Sequence, residues 1–362
     1  MRSEIRRIAI NTGGGDAPGL NAVIRAVVHA GERQGWEVYG IMDAYDGLFE
    51  EGGVVRLDRT AVRGITHQGG TILGTTSRGN PLQYAVKDAD GSVRYEDRSQ
   101  AVLDALAARG IDALIAVGGD GSLDIANGLS KKGLKVVGVP KTIDNDLQAT
   151  QLTFGFPTAV ETATDAIDKL HSTAQSHERV MVVELMGRHA GWIALYAGLA
   201  GTADVILIPE IPYDMAKVCA KIEARYEERR NFAIVVVAEG AFPKGGSPVW
   251  KTQGSGETRL GGLAHQVATE IGTRTGRETR DLVLGHLQRG GSPIAYDRIL
   301  ALRFGAAAVD MVAQGRFGCM VALAPPNVLA VPLDEAIAKT KLVPLDGDLV
   351  RTARALGVCL GD

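Results

Sequence analysis

The sequence predicts an α/β protein of doubly wound character, on three observations. Short apolar runs end in glycine-rich turns and alternate with amphipathic stretches of helical length, the pattern of parallel strands joined by crossover helices. Glycine occurs 46 times in 362 residues, nearly twice the usual ~7%, with no collagen-like period or low-complexity tract to absorb it. Finally, the strand-and-turn units fall into two series, and the length fits one large or two medium domains.

The first unit is the clearest: a buried strand over residues 7–11, the turn GGGDAPG over 13–19, and a helix over 20–33. The same grammar recurs at 111–117, followed by Gly118, Gly119, Asp120, Gly121 and Ser122. It recurs again at 135–139, followed by Pro140, Lys141 and Thr142. A second series opens with a strand over 180–185 and a helix around 190–199, and continues through strands over 204–208 and 233–238. Residues 77–99 and 242–261 are polar and rich in glycine and charge, so they read as insertions or long surface loops rather than interdomain linkers. The alternating charges of Arg225 to Arg230 read as a solvated helix face. No internal repeat is present.

Composition narrows the function classes. A net charge of −3 leaves no electrostatic footprint for nucleic acid or an anionic membrane, while a small anionic substrate needs only local arginines. Cys219, Cys319 and Cys359 are few, odd in number and widely spaced, which suits a reducing compartment and matches neither a disulfide framework nor a zinc site. The charged start MRSEIRRIAI runs into a short strand, and no apolar run approaches 18 residues. The expectation is a soluble, cytoplasmic protein. His177, His189, His265 and His286 lack the H-E-x-x-H spacing or cysteine company of a zinc centre, so no transition-metal site is expected.

Three turns carry candidate chemistry. The turn at 13–19, including Gly14 and Gly15, joins a strand to a helix, where unpaired amides and the helix dipole favour an anion. It is neither G-x-G-x-x-G nor a Walker A loop, so by itself it reads equally as a phosphate site or an ordinary tight turn. The second turn adds Asp120 to three glycines; glycines let phosphates approach the backbone, and an aspartate can hold hydrated Mg²⁺ or simply cap the following helix. The third, PKTIDND at 140–146, sets Asp144 and Asp146 two residues apart beside Lys141 and Thr142. Phosphoryl transfer to an alcohol needs positioning, charge neutralisation and a proton acceptor. Asp144 can be that base, with Asp146 orienting it or helping the metal; an Asx-rich turn is the plainer reading.

Taken in order, NTGGGDAPGLNAVIRAVV, IAVGGDGS, PKTIDND, SHERVMVVELMGRHAG and TRDLVLGHLQRGGSP resemble the phosphofructokinase family from about residue 7 to 340. GHLQRGGSP together with PKTIDND separates that family from the lipid and NAD kinases that share GGDG. The resemblance implies two α/β domains with the active site in the cleft between them. The donor domain would cover 1–154 plus 287–338, and the sugar-phosphate domain 155–286 plus 339–362.

It also implies roles. Asp144 matches the catalytic base, Thr142 a substrate and transition-state contact, and Asp120 the Mg²⁺ ligand; Asp146 and Arg188 join the catalytic set. Gly14, Gly15, Arg78, Gly119, Gly121, Ser122 and Lys141 fall on the donor side, with ATP as donor. Thr142, Ile143, Asp144, Met186, Gly187, Arg188, Glu239, His286, Gln288 and Arg289 fall on the fructose 6-phosphate side. Arg179 and Arg280 match arginines that family members contribute from a neighbouring subunit, so a homotetramer or dimer is implied. Arginine suits this task because its planar donor fork pairs bidentately with phosphate.

Two alternatives stay open. Gly121 is ATP-like, since pyrophosphate users carry Asp there and a carboxylate would occupy and repel the α-phosphate's space, whereas Lys141 is pyrophosphate-like. A non-catalytic sugar-phosphate sensor is the remaining one, disfavoured by the intact Asp120, Thr142, Asp144 and arginine set.

Overall fold

The computed structural model describes residues 5–88, 91–252 and 258–362. The chain divides into two compact units. One comprises Met1–Ile143, Leu147–Pro157 and Arg289–Lys339; the other comprises Asp144–Asp146, Thr158–Gln288 and Thr340–Asp362.

The first unit is built on one sheet, in the order Asn327–Pro332, Cys319–Ala324, Val136–Thr142, Ala113–Gly118, Arg7–Thr12, Glu37–Ile41 and Val54–Leu57. The five inner strands run parallel, and the outermost strand on each side is antiparallel to its neighbour. The short strand Phe154–Gly155 pairs with Lys141 and Thr142. Alternation sorts the side chains: Ile8 and Ile10 pack on one face with Val23, Val27 and Phe304, while Ala9 packs on the other with Leu114, Leu123 and Met320. Helices Leu20–Arg33 and Ala295–Ala313 cover the first of these faces and pack closely. A Cβ at Gly305 would lie 2.7 Å from the Ala26 Cβ and 2.8 Å from the Val23 carbonyl.

The chain leaves the first strand toward Glu37–Ile41 on one side and reaches Ala113–Gly118 on the other. The order therefore reverses at Arg7–Thr12, and open α/β sheets bind ligands at such a reversal, outside the carboxyl ends of the strands. Those ends are the turns beginning at Gly13 and Gly119.

The second unit has four parallel strands in the order Val205–Leu207, Ala233–Ala238, Val180–Leu185 and Thr279–Val283. Helices Met215–Glu227 and Leu263–Thr275 bury Val218, Ile222, Val267 and Ile271 with Val182, Val235 and Val237. One residue of the central strand breaks the apolar run. Glu184, 2% exposed, accepts hydrogen bonds from the Gly262 and Ala264 amides at 3.0 and 2.9 Å. It thereby satisfies orphan donors at the start of Leu263–Thr275, where the helix dipole favours a negative group.

Two sequence expectations are corrected. The segments read as surface loops each hold an antiparallel ribbon, Tyr84–Lys87 with Val93–Glu96 and Trp250–Thr252 with Thr258–Leu260; their polar composition masks short-range pairing that needs no buried face. Arg225 is no solvated side chain: its guanidinium lies 2.6 Å from the Asp204 carboxylate, at 12% and 9% side-chain exposure, and its Nε donates to the Phe232 carbonyl at 2.9 Å. Charge alternation cannot say which member of a run turns inward.

Candidate active site

In the first unit the two glycine-rich turns and the start of the third converge. The Gly13 amide donates to the Val117 carbonyl at 2.9 Å, and the Gly14 amide to the Thr76 carbonyl at 2.9 Å. Thr75 Oγ1 donates to the Gly14 carbonyl at 2.6 Å, and Gly14 sits at φ 77°, where glycine carries no steric cost. Close approach to the second turn requires glycine as well. A Cβ on Gly118 would come 2.2 Å from the Ser122 Cβ, and one on Gly13 would come 2.8 Å from Ser122 Oγ.

The third turn joins through Lys141, which is 3% exposed and donates its Nζ proton to the Gly15 carbonyl. Arg289 reaches the same loop, with Nη1 donating to the Asp16 carbonyl at 3.1 Å. A Cβ on Gly15 would lie 2.8 Å from that nitrogen.

Asp120 is exposed and opens helix Asp120–Lys131, whose N-cap is Gly119 and which has no side-chain cap. Beside it, a Cβ on Gly121 would meet nothing within 4 Å. Backbone amides at this helix start and the cations Lys141 and Arg289 against the first turn form a cradle suited to an oligophosphate. Arg78 is exposed, two residues past the Thr76 carbonyl that holds Gly14. Thr142 closes its strand, with its carbonyl accepting from Thr153 Oγ1 at 2.7 Å. The Ile143 side chain is fully buried, so only its backbone is available to a ligand.

In the second unit, Met186, Gly187 and Arg188 follow the central strand and lie against the turn at Glu239. The Glu239 amide donates to the Leu185 carbonyl at 2.9 Å and the Gly240 amide to the Gly187 carbonyl at 3.1 Å. Gly240 is required there, since a Cβ would come 2.1 Å from the Arg188 carbonyl. Gln288 is wholly buried; its Oε1 accepts from the Met186 amide at 3.3 Å and its Nε2 donates to the Gly285 carbonyl at 3.1 Å. It thus shapes the turn from behind. Arg188 is exposed and lies over the Trp250 ring, 5.4 Å from its centroid. His286 is also exposed.

Arg179 and Arg280 meet on one carboxylate that the motifs did not single out. Glu278 Oε1 is 2.9 Å from Arg179 Nη2 and 2.6 Å from Arg280 Nη2. The Arg179 hydrogen bond is the main reason the Glu278 carboxyl is held below its ordinary range.

The segment Asp144–Asp146 belongs to this unit and is held by the distant C-terminal tail. Asn145 is 2% exposed with φ 51°. Lys341 Nζ donates to Asn145 Oδ1 at 2.9 Å, the Lys341 amide donates to the Asp146 carbonyl at 2.7 Å, and Trp192 Nε1 donates to the Lys341 carbonyl at 2.8 Å. Sequence reading missed Lys341 because nothing in its neighbourhood signals a partner 196 residues away.

Comparison with known proteins agrees with the motif order. The Phosphofructokinase family model matches residues 7–312. The ATP-dependent 6-phosphofructokinase 1 of Synechocystis sp. is 51% identical over 99% of each chain. The pyrophosphate–fructose 6-phosphate 1-phosphotransferase of Amycolatopsis methanolica is 53% identical over 93% of this chain and 96% of its own. Among solved structures, phosphofructokinase from Pichia pastoris in the T-state superimposes with a TM-score of 0.80 at 32% identity over 93% of this chain, which spans 36% of that longer chain. The pyrophosphate-dependent enzyme from Nitrosospira multiformis has the same fold, with a TM-score of 0.81 at 22% identity. No helix among the described residues is long and apolar enough to cross a membrane. The chain belongs to the phosphofructokinase family.

Proposed function

We infer that the chain is a cytoplasmic ATP-dependent 6-phosphofructokinase, moving the terminal phosphoryl group of Mg-ATP onto the 1-hydroxyl of fructose 6-phosphate. Asp144 takes the hydroxyl proton as the oxygen attacks phosphorus, and ADP leaves with the pair of electrons from the broken P–O bond. Amides of the Gly119–Ser122 turn, with Lys141 against the Gly13–Gly15 turn, hold the donor phosphates, while Thr142 and Arg188 meet the charge that develops on the transferring group. Asp120 would hold Mg²⁺: it is an exposed carboxylate beside open space. Among the described residues no cluster of three or more His, Cys, Asp or Glu offers an all-protein cage. That suits a cation bound through one carboxylate and the substrate's phosphates, whose charge it neutralises when bound. Met186, Glu239, His286 and Arg289 take the sugar phosphate, joined by Arg179 and Arg280 of a neighbouring copy in a homo-oligomer.

The observation that carries the donor assignment is the open space at Gly121, because overall identity to ATP and pyrophosphate users is nearly equal, 51% and 53%. Lys141 favours the second reading, pyrophosphate as donor, by adding positive charge to the first turn. A charge adds affinity for either donor, whereas free volume is needed only by the larger. Fructose 1,6-bisphosphate formation measured with Mg-ATP and with pyrophosphate separates the two; faster turnover with pyrophosphate would overturn the assignment.

A further inference from the structure

We propose that Lys341 is a positioning residue for phosphoryl transfer, setting the Asp144–Asp146 segment by fixing Asn145; this rests on reading Asp144 as the base. Asn145 lies between the two aspartates in the left-handed region, φ 51°, a turn conformation that asparagine adopts more readily than other non-glycine residues, so its side-chain partner helps fix the turn. Its amide is buried, so the Lys341 ammonium at 2.9 Å replaces water as the partner of Oδ1. Rotation at Asn145 would swing Asp144 and Asp146 relative to one another, so the group that fixes this residue also fixes both carboxylates.

Lys341 is itself clamped along its backbone. Its amide is bonded to the Asp146 carbonyl and its carbonyl to Trp192 Nε1. Two residues on, the Val343 amide donates to Glu210 Oε1 at 2.9 Å, and Glu210 also accepts from the Gly191 amide at 3.0 Å. The tail is therefore a fixed rail, and the lysine extends from it with its ammonium 5.7 Å from the Trp192 ring centroid. Burial pushes the Lys341 ammonium down to about 8, with Asp146 opposing the shift, so it remains charged at neutral pH. An apolar residue would avoid that desolvation but would take the ammonium away from the buried Asn145 oxygen. A buried charge at this position makes sense where the arrangement it enforces matters more than the stability it forgoes.

The test uses the full chain with Mg-ATP and fructose 6-phosphate, and compares Lys341→Met, Lys341→Arg, Asn145→Gly, Asp144→Asn and the double variant Asp144→Asn/Lys341→Met. Lys341→Met should lower kcat about 10- to 100-fold, the scale of a small misplacement of a reacting group. KM for fructose 6-phosphate should stay within about twofold, since ground-state binding is untouched. Lys341→Arg should recover part of kcat. Asn145→Gly tolerates the same backbone but lacks the amide, so it should reproduce the Lys341→Met loss and carries the test if that variant fails to fold. The double variant should be no slower than Asp144→Asn alone. Parental kcat in both Lys341→Met and Asn145→Gly overturns the proposal, as does a loss confined to KM or a full further loss in the Asp144→Asn background. Parental kcat in Asp144→Asn would instead sink the base assignment, while the two single variants still report whether the setting of the segment governs turnover.

Discussion

The Gly13–Gly15 turn and the Asp144–Asp146 segment are held by opposite means. The first is shaped by absence: glycines at 13, 15 and 118 admit Ser122 and Arg289 to distances that a Cβ would contest, and Gly14 holds a left-handed φ of 77°. The second is shaped by a long side chain brought from the C-terminal tail to bond Asn145. A glycine announces its purpose locally, since few other residues fit a left-handed turn or a backbone approach. A lysine in the sequence KTKLVP announces nothing. The contrast teaches that a phosphate cradle can be read along the chain, whereas the setting of an acid–base group depends on what the fold returns to it.

The sharpest way to break this comparison is at Asp144. Asp144→Asn should reduce kcat by about 10²–10⁴, the range expected for loss of a general base, with only a modest change in KM for fructose 6-phosphate. A loss seen only in KM would make the segment a binding element, no different in kind from the glycine turns.

The next largest effect concerns Arg179 and Arg280, which in one chain converge on Glu278. Asp144→Ala and Arg280→Ala should each be nearly inactive. After dissociation and joint reassociation, a pocket that draws Asp144 from one copy and Arg280 from the other has both intact, so activity should rise well above either parent. Flat activity despite demonstrated subunit exchange would mean that Arg280 serves its own chain.

Gly121 offers a smaller, more selective test on the glycine side. Gly121→Ala should fold with an unchanged Tm and keep ATP turnover, because the added methyl meets nothing within 4 Å. Gly121→Asp should fold equally well yet raise KM for ATP about tenfold or more, by setting a carboxylate against a phosphate. Equal ATP kinetics in the two variants would remove the volume argument for the donor.

These contrasts also explain how much was legible. The parallel strands, the three turns and the family motifs were readable because each is a local pattern: an apolar run, a glycine cluster, a carboxylate beside it. Arg225 was misread because alternation of charge along a helix does not reveal Asp204, just ahead of the strand Val205–Leu207. Glu278 was not singled out although an arginine lies two residues on, and the burial of the Gln288 side chain behind Met186 left no mark in the sequence. In each case the deciding partner is remote in sequence or lies on the inner side of a turn.

The smallest effect probes the rail on which Lys341 is mounted. Burial raises the Glu210 carboxyl above its ordinary range, while its bonds from Val343, Gly191 and its own amide oppose the shift. The folded state therefore binds this proton more tightly than the unfolded chain, so in the window from about 4.5 upward it holds more protons at this site. Stability from Glu210 is then fully present below the unfolded value and declines as pH rises through the raised one. Glu210→Gln keeps an acceptor oxygen for the Val343 and Gly191 amides but carries no titrating group. The difference in Tm between parent and variant should consequently move against the parent as pH rises across that window. A difference that is constant with pH would show that Glu210 titrates alike in the folded and unfolded states, so that burial behind the tail does not favour its proton.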